Sequence, residues 1–135
     1  MADLQKPLIL VVDGDLGKLT TLDSLLGRAG NLITTCSTFP DAQKAVAGNK
    51  VNLVIIGRMG DEGEELALTW KVKDISPSTK VLLLKDSKDY ADSVAPLDPG
   101  ADELLSAPYT NDELLATVTA LLAKPSLPPS EPDRL

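Results

Sequence analysis

Short apolar runs alternate along this chain with stretches in which apolar residues recur every three or four positions. Most of the runs are rich in Leu, Val and Ile and end at turn residues, which predicts strands. They cover 8–12, 32–36, 51–56, 80–84 and 103–105. The amphipathic stretches predict helices over 16–29, 38–48, 64–76, 87–98 and 110–122, and Pro96 restricts the fourth to a short piece. This alternation predicts an α/β fold: a single doubly wound, five-stranded parallel sheet with about five helices.

Capping residues mark where several of these helices begin and end. Asp15 is placed to cap the first helix, and Gly30 is a stop signal after it. Thr38 opens the second helix. Thr110 and Glu113 have the spacing of a capping box at the start of the last helix. These signals agree with the boundaries that the hydrophobic pattern predicts.

Length and composition indicate one folded domain followed by a tail. The chain has 135 residues, of which 43% are hydrophobic and 24% are charged, and these values are typical of one globular domain. We predict that residues 7–124 form this domain and that residues 1–6 are a flexible N-terminus. Residues 125–135 are polar and rich in proline, which predicts an extended tail or linker.

Charge and residue counts exclude several classes of function. The formal net charge is −7, so the domain is a poor candidate for direct contact with nucleic acid. No apolar run approaches the length of a membrane span, and the N-terminus lacks a signal-peptide pattern. The one cysteine excludes an internal disulfide and fits a reducing, cytoplasmic location. The absence of histidine excludes a Ser-His-Asp triad, a histidine metal site and a phosphohistidine relay.

Polar residues and glycines follow the predicted strands. In an open parallel sheet, binding sites form at the carboxyl ends of the strands. Those ends carry Asp13-Gly14-Asp15, Gly57-Arg58, Lys85-Asp86 and Ser106-Ala107-Pro108. We therefore expect a candidate site where these four segments meet.

Four segments in order carry a resemblance to a known family. They read LILVVDGD, NLVIIGRM, VLLLKDS and GADELLSAPY. Over residues 7 to 123 the chain resembles the receiver domain of bacterial two-component response regulators, the CheY-like family. The resemblance implies a flavodoxin-like fold and a role in two-component signal transduction by phosphorelay. It also implies that the tail is similar to the linker that joins a receiver to an output domain.

The resemblance also identifies the positions at which this sequence departs from a working receiver. Such a domain, by the resemblance, has two acids that hold Mg²⁺, an acceptor aspartate, a Thr or Ser, and a Lys before a late proline. Asp13 matches the first acid. The other four positions hold different residues: Gly14, Gly57, Lys85 and Ala107. Since glycine has no side chain, Gly57 cannot be phosphorylated, and we predict a degenerate pseudo-receiver without catalytic activity, metal or cofactor.

Several residues of this pocket have alternative interpretations. Lys85 either forms an ion pair with Asp13 or extends into water, and we favour the second, because surface lysines rarely do anything measurable. Asp13 and Asp15 could bind a cation weakly, although Asp15 is more often only a cap. Asp61 could be a displaced acceptor, but acids are common before and within the first turn of a helix. The resemblance implies that the Ala107–Pro108 bond is cis.

Four residues outside the pocket carry further expectations. Cys36 is predicted to be a small buried hydrophobe, not a nucleophile. Trp70 is predicted to pack within the fold, and an exposed Trp70 would instead suggest an anchor for a partner. Leu104 stands at the aromatic switch position of the family. With Tyr109 it belongs to the face that, by the resemblance, contacts partners.

Three functions from different classes remain open. The favoured one is an interaction module that needs no phosphorylation and binds a protein partner, an output domain or, by family analogy, a second copy. The second is a phosphorylatable receiver with its acceptor at Asp61. The third is a flavodoxin-like domain that binds a small ligand, which is disfavoured because the chain has neither a GxGxxG motif nor a phosphate-binding loop.

Overall fold

The secondary structure alternates between strands and helices, as the hydrophobic pattern predicts. A computed structural model describes residues 6–59, 62–85 and 101–123. The strands are β1 (Leu8–Val12), β2 (Leu32–Cys36), β3 (Leu53–Ile56), β4 (Lys80–Lys85) and β5 (Glu103–Ser106). The helices are α1 (Leu16–Arg28), α2 (Phe39–Gly48), α3 (Glu62–Ile75) and α4 (Asn111–Ala123). The helix predicted over 87–98 and the tail predicted over 125–135 lie outside the described residues.

The five strands form one parallel sheet in the order β2-β1-β3-β4-β5, which confirms the predicted fold class. The chain runs from β1 to one edge of the sheet, and then returns to place β3 on the other side of β1. The crevice between the carboxyl ends of β1 and β3 is therefore the point at which the topology switches direction. Open α/β sheets bind their ligands at such a point.

The sheet separates two hydrophobic clusters. Alternate residues of the central strands face α1 and α4 on one side and α2 and α3 on the other, because successive side chains of a strand point to opposite faces. Ile9 and Ile55 belong to the first cluster, and Leu10 and Ile56 to the second. All four are fully buried, which explains why β1 and β3 are continuous apolar runs. None of the described helices is long and apolar enough to cross a membrane.

The predicted caps are confirmed. The Asp15 side chain accepts from the backbone N–H groups of Gly17 and Lys18 at the start of α1. Gly30, just after α1, has a φ of 101°, a left-handed conformation that favours glycine. The Thr110 hydroxyl accepts from the N–H of Glu113, and the Glu113 carboxylate accepts from the N–H of Thr110.

Candidate functional site

Three neighbouring strands bring the predicted site residues to one edge of the sheet. Asp13 follows β1, Gly57 follows β3, and Lys85 is the last residue of β4. The pairing of β1 with β3 continues beyond the strands, because the Gly57 N–H donates to the carbonyl of Val12 at 2.8 Å. The Gly14 N–H likewise donates to the carbonyl of Arg58 at 2.7 Å. These bonds fix the backbone on both sides of the crevice.

The Asp13 carboxylate lies inside the crevice and is held there by the backbone. Asp13 is fully buried. Oδ1 accepts from the N–H of Asp15 at 2.8 Å, and Oδ2 accepts from the N–H of Arg58 at 3.3 Å. The Lys18 ammonium lies 3.6 Å from Oδ2. Hydrogen bonds and a nearby cation compensate the burial of this charge.

Asp13 occupies the space that a side chain at position 57 would need. A Cβ built on Gly57 would lie 2.0 Å from Oδ2 of Asp13 and 2.9 Å from its Cγ. Both distances are shorter than non-bonded atoms adopt in folded proteins. Position 57, which by the resemblance corresponds to the acceptor, therefore has no side chain, and a neighbouring carboxylate fills the volume.

The residues present do not fit the magnesium site of a working receiver. Gly14, which by the resemblance stands at the position of the second acid, contributes no carboxylate, and a Cβ there would lie 3.3 Å from the carbonyl oxygen of Arg58. Both oxygens of Asp13 already accept from backbone N–H groups. In the described parts of the chain, no three His, Cys, Asp or Glu side chains gather as metal ligands. Mg²⁺ requires near-ideal octahedral oxygen ligation, which this set does not supply.

Lys85 is buried, so the favoured prediction that it extends into water is wrong. The residue is 5% exposed, and its ammonium pairs with Oε1 of Glu65 on α3. The other oxygen of Glu65 accepts from the N–H of Met59 at 3.0 Å, in the loop after β3. Glu65 was missed in the sequence, where only Asp13 was considered as a partner. Its spacing from Leu68 and Val72 places all three on the buried face of α3, and this signal could have identified it.

The segment after β5 completes this edge of the sheet. The Ala107 N–H donates to the carbonyl of Lys85 at 2.8 Å, which extends the pairing of β4 with β5. The Ala107–Pro108 bond is cis, as the resemblance implied. Asp61, the proposed displaced acceptor, lies outside the described residues.

Trp70 and Cys36 both differ from their predicted environments. Trp70 is 60% exposed on α3 and does not pack into the core. Cys36, at the end of β2, is half-buried and not fully buried. Burial, and to a lesser extent the negative charge of Asp41, raise the pKa of its thiol. A raised pKa lowers the thiolate fraction, which agrees with the expectation that Cys36 is not a nucleophile.

Leu104 and Tyr109 lie against different sides of the sheet. Leu104 packs against the cluster that includes α2 and α3, and Tyr109 against the cluster that includes α1 and α4. Tyr109 also lines a groove of about 370 Å³ between α1 and the start of α4. Leu25 and Leu114 contribute apolar wall, and Asp15 and Lys18 contribute one charge of each sign. The role of Leu104 and Tyr109 in partner contact stays a prediction.

Comparison with known sequences identifies response regulators among the relatives. The transcriptional regulatory protein GltR of Pseudomonas aeruginosa is 31% identical over 118 residues, which are 86% of this chain and 49% of that protein. The response regulator MprA of Mycobacterium sp. (strain KMS) is 30% identical over 125 residues, which are 93% of this chain and 54% of that protein. The chain thus spans about half the length of the curated relatives it matches. No family model matches it.

Solved receiver structures have the same fold. A response regulator receiver domain protein (CheY-like) from Methanospirillum hungatei gives a TM-score of 0.77 at 22% identity and covers 87% of this chain and 94% of that one. A receiver domain protein from Clostridium thermocellum gives a TM-score of 0.75 at 24% identity, covering 86% and 94%. At these identities the likeness establishes the fold.

Proposed function

We propose that the chain is a receiver domain of the kind found in two-component response regulators, and that it signals without being phosphorylated. It is a degenerate receiver that catalyses no reaction and acts by contact with a protein partner or an output domain. The observation that carries this proposal is the arrangement of Gly57 and Asp13. The acceptor position has no side chain, and a buried carboxylate occupies the volume of one.

The chemistry of phosphoryl transfer supports this proposal. Transfer to a receiver needs a carboxylate oxygen in line with the phosphorus, and cations that neutralise the other phosphoryl oxygens. Gly57 has no nucleophile. The carboxylate of Asp13 lies beside Gly57, but its oxygens accept from the N–H groups of Asp15 and Arg58, and the residue is fully buried. Neither Gly57 nor Asp13 therefore offers an accessible acceptor to an incoming phosphodonor.

Exposed apolar groups support the protein-contact part of the proposal. Trp70 is 60% exposed, and tryptophan is enriched among the residues that dominate binding energy at protein interfaces. The groove between α1 and α4 adds a second apolar surface, in which Tyr109 lies beside Leu25. Neither surface requires a phosphoryl group, so both are usable in a domain that is not phosphorylated.

The decisive experiment is incubation with Mg²⁺ and acetyl phosphate, followed by intact-mass spectrometry. We expect no added phosphoryl mass on this protein. A conventional receiver in the same tube is the positive control and should be labelled. A labelled species of this chain would contradict the proposal. Peptide mapping, with Asp61 examined first, would then locate the displaced acceptor.

A further inference from the structure

The buried pair between Glu65 and Lys85 joins parts of the chain that are far apart in sequence. Glu65 lies in the first turns of α3, and Lys85 ends β4. Each side chain is only 5% exposed. The second oxygen of Glu65 accepts from the N–H of Met59, so the same carboxylate also holds the loop that follows β3. The backbone carbonyl of Lys85 in turn accepts from the N–H of Ala107.

We infer that Glu65 and Lys85 form an internal latch that fixes residues 57–59, which follow β3, against the end of β4 in one conformation. The latch deepens the proposed function and rests on it, because it holds this segment in one state without a phosphoryl group. The latch works through charge. If the ammonium and the carboxylate separated inside the protein, their mutual attraction would be lost while both groups stayed buried. Separation of this pair is therefore disfavoured.

The chain offers a closely matched control pair at the opposite end of the sheet. Lys73 on α3 pairs with Oδ2 of Asp102 at 2.8 Å, and the same oxygen accepts from the N–H of Val81. Like Glu65, Asp102 thus combines one lysine with one backbone N–H. The control pair is more open to solvent, with side chains 26% and 28% exposed, and it lies at the start of β4, away from the loop.

The experiment measures amide hydrogen exchange, residue by residue, on the full chain without Mg²⁺ or phosphodonor. Glu65→Gln keeps an oxygen for the Met59 N–H but removes the charge that faces Lys85. We expect the Met59 amide to exchange about tenfold faster or more, while amides of α4 change much less. Asp102→Asn should leave the Met59 amide unchanged.

The double variant Glu65→Gln/Lys85→Met keeps the test decisive if the single variant is too unstable to fold. It removes both charges of the Glu65–Lys85 pair together, and Met retains the apolar length of the lysine stem. We expect the double variant to fold and still to exchange faster at Met59. Unchanged Met59 exchange would overturn the latch, and so would an equal increase at Met59 and throughout α4, which indicates a loss of global stability alone.

This experiment is separate from the phosphorylation test. Labelling of the wild-type chain by acetyl phosphate would contradict the proposed function whatever the exchange pattern. Slow Met59 exchange in the variants would contradict the latch, even if the wild-type chain takes no phosphoryl group.

Discussion

The side chain of Asp13 and any side chain at position 57 would compete for one volume. The Cβ of a residue at 57 would lie 2.0 Å from Oδ2 of Asp13. Asp13 can move away only by giving up its hydrogen bonds to the N–H groups of Asp15 and Arg58. Placing a carboxylate side chain at position 57 therefore requires more than one substitution, because the Asp13 side chain already fills the volume.

This competition predicts the effect of a single methyl group. Gly57→Ala should destabilise the protein by about 1–3 kcal/mol, because it overpacks a buried site or displaces a hydrogen-bonded carboxylate. Gly27, in the last turn of α1, is the matched control, since nothing lies within 4 Å of a Cβ built there. Gly27→Ala should instead stabilise by about 0.5 kcal/mol. Urea denaturation of both variants measures these changes in the free energy of unfolding.

A double variant tests the physical cause of that destabilisation. In an Asp13→Ala background the carboxylate is gone, so Gly57→Ala should cost much less than it does in the wild type. If Gly57→Ala is as stable as the wild type, or costs the same in both backgrounds, then Asp13 does not occupy the contested volume.

Helix and strand boundaries that depend on neighbouring residues were predictable from the sequence. Boundaries that depend on residues distant in sequence were less predictable. The caps at Asp15 and Thr110 depend on residues within three positions, and the sequence alone located them. The start of β3 was predicted at Val51 but lies at Leu53. The carbonyl of Val51 accepts instead from the Thr79 hydroxyl, which is distant in sequence.

Helix α3 carries the two clearest errors, and one cause underlies both. Its buried face includes Glu65, Leu68 and Val72, so Trp70, about 200° around the axis from Leu68, points outward. The periodicity contained this information, but it was not used: Trp70 was assigned to the core because of its chemical type, and Glu65 was not considered as a partner of Lys85. Lys85 was likewise predicted to extend into water on the basis of its chemical type. A buried charge can be predicted only together with its partner. The partner of Lys85 is Glu65, and only the assembled sheet and helix bring the two side chains together.

The capping box of α4 gives a prediction at the scale of one helix. The Thr110 hydroxyl accepts from the N–H of Glu113 at 3.0 Å, and Thr110→Ala removes this acceptor. We expect a loss of about 1 kcal/mol in the free energy of unfolding. Thr119→Ala, at an exposed position in the same helix, is the control and should be neutral or slightly stabilising, because Ala is the better helix former. Equal effects of the two substitutions, measured by urea denaturation, would show that the box contributes nothing beyond helix propensity.

At the scale of the whole molecule, the sheet has the fold of solved receiver domains, and charged groups of the protein itself fill its switch point. The crevice between β1 and β3 lies where such a fold binds its ligand. Here the Asp13 carboxylate accepts hydrogen bonds from two backbone N–H groups and lies near the Lys18 ammonium. The Glu65 carboxylate pairs with the Lys85 ammonium. The charges of the pocket are thus balanced by the protein's own groups. The fold class followed from the order of elements, whereas this charge balance also depends on two long-range contacts, between residues 45 and 20 positions apart.

Because the protein's own groups balance the charges of the pocket, we predict that Mg²⁺ does not change the free energy of unfolding. A ligand that binds only the folded state raises the free energy of unfolding by about 2.7 kcal/mol at a hundredfold excess over its Kd. For a domain of this size such a gain shifts the melting temperature by roughly 8 °C or more. We expect calorimetry to give the same melting temperature in MgCl₂ as in NaCl of equal ionic strength, because Gly14 supplies no ligand and Asp13 is already engaged. A shift specific to Mg²⁺ that Asp13→Asn abolishes would contradict this expectation, since it would mean that the Asp13 carboxylate leaves its backbone partners to bind a metal.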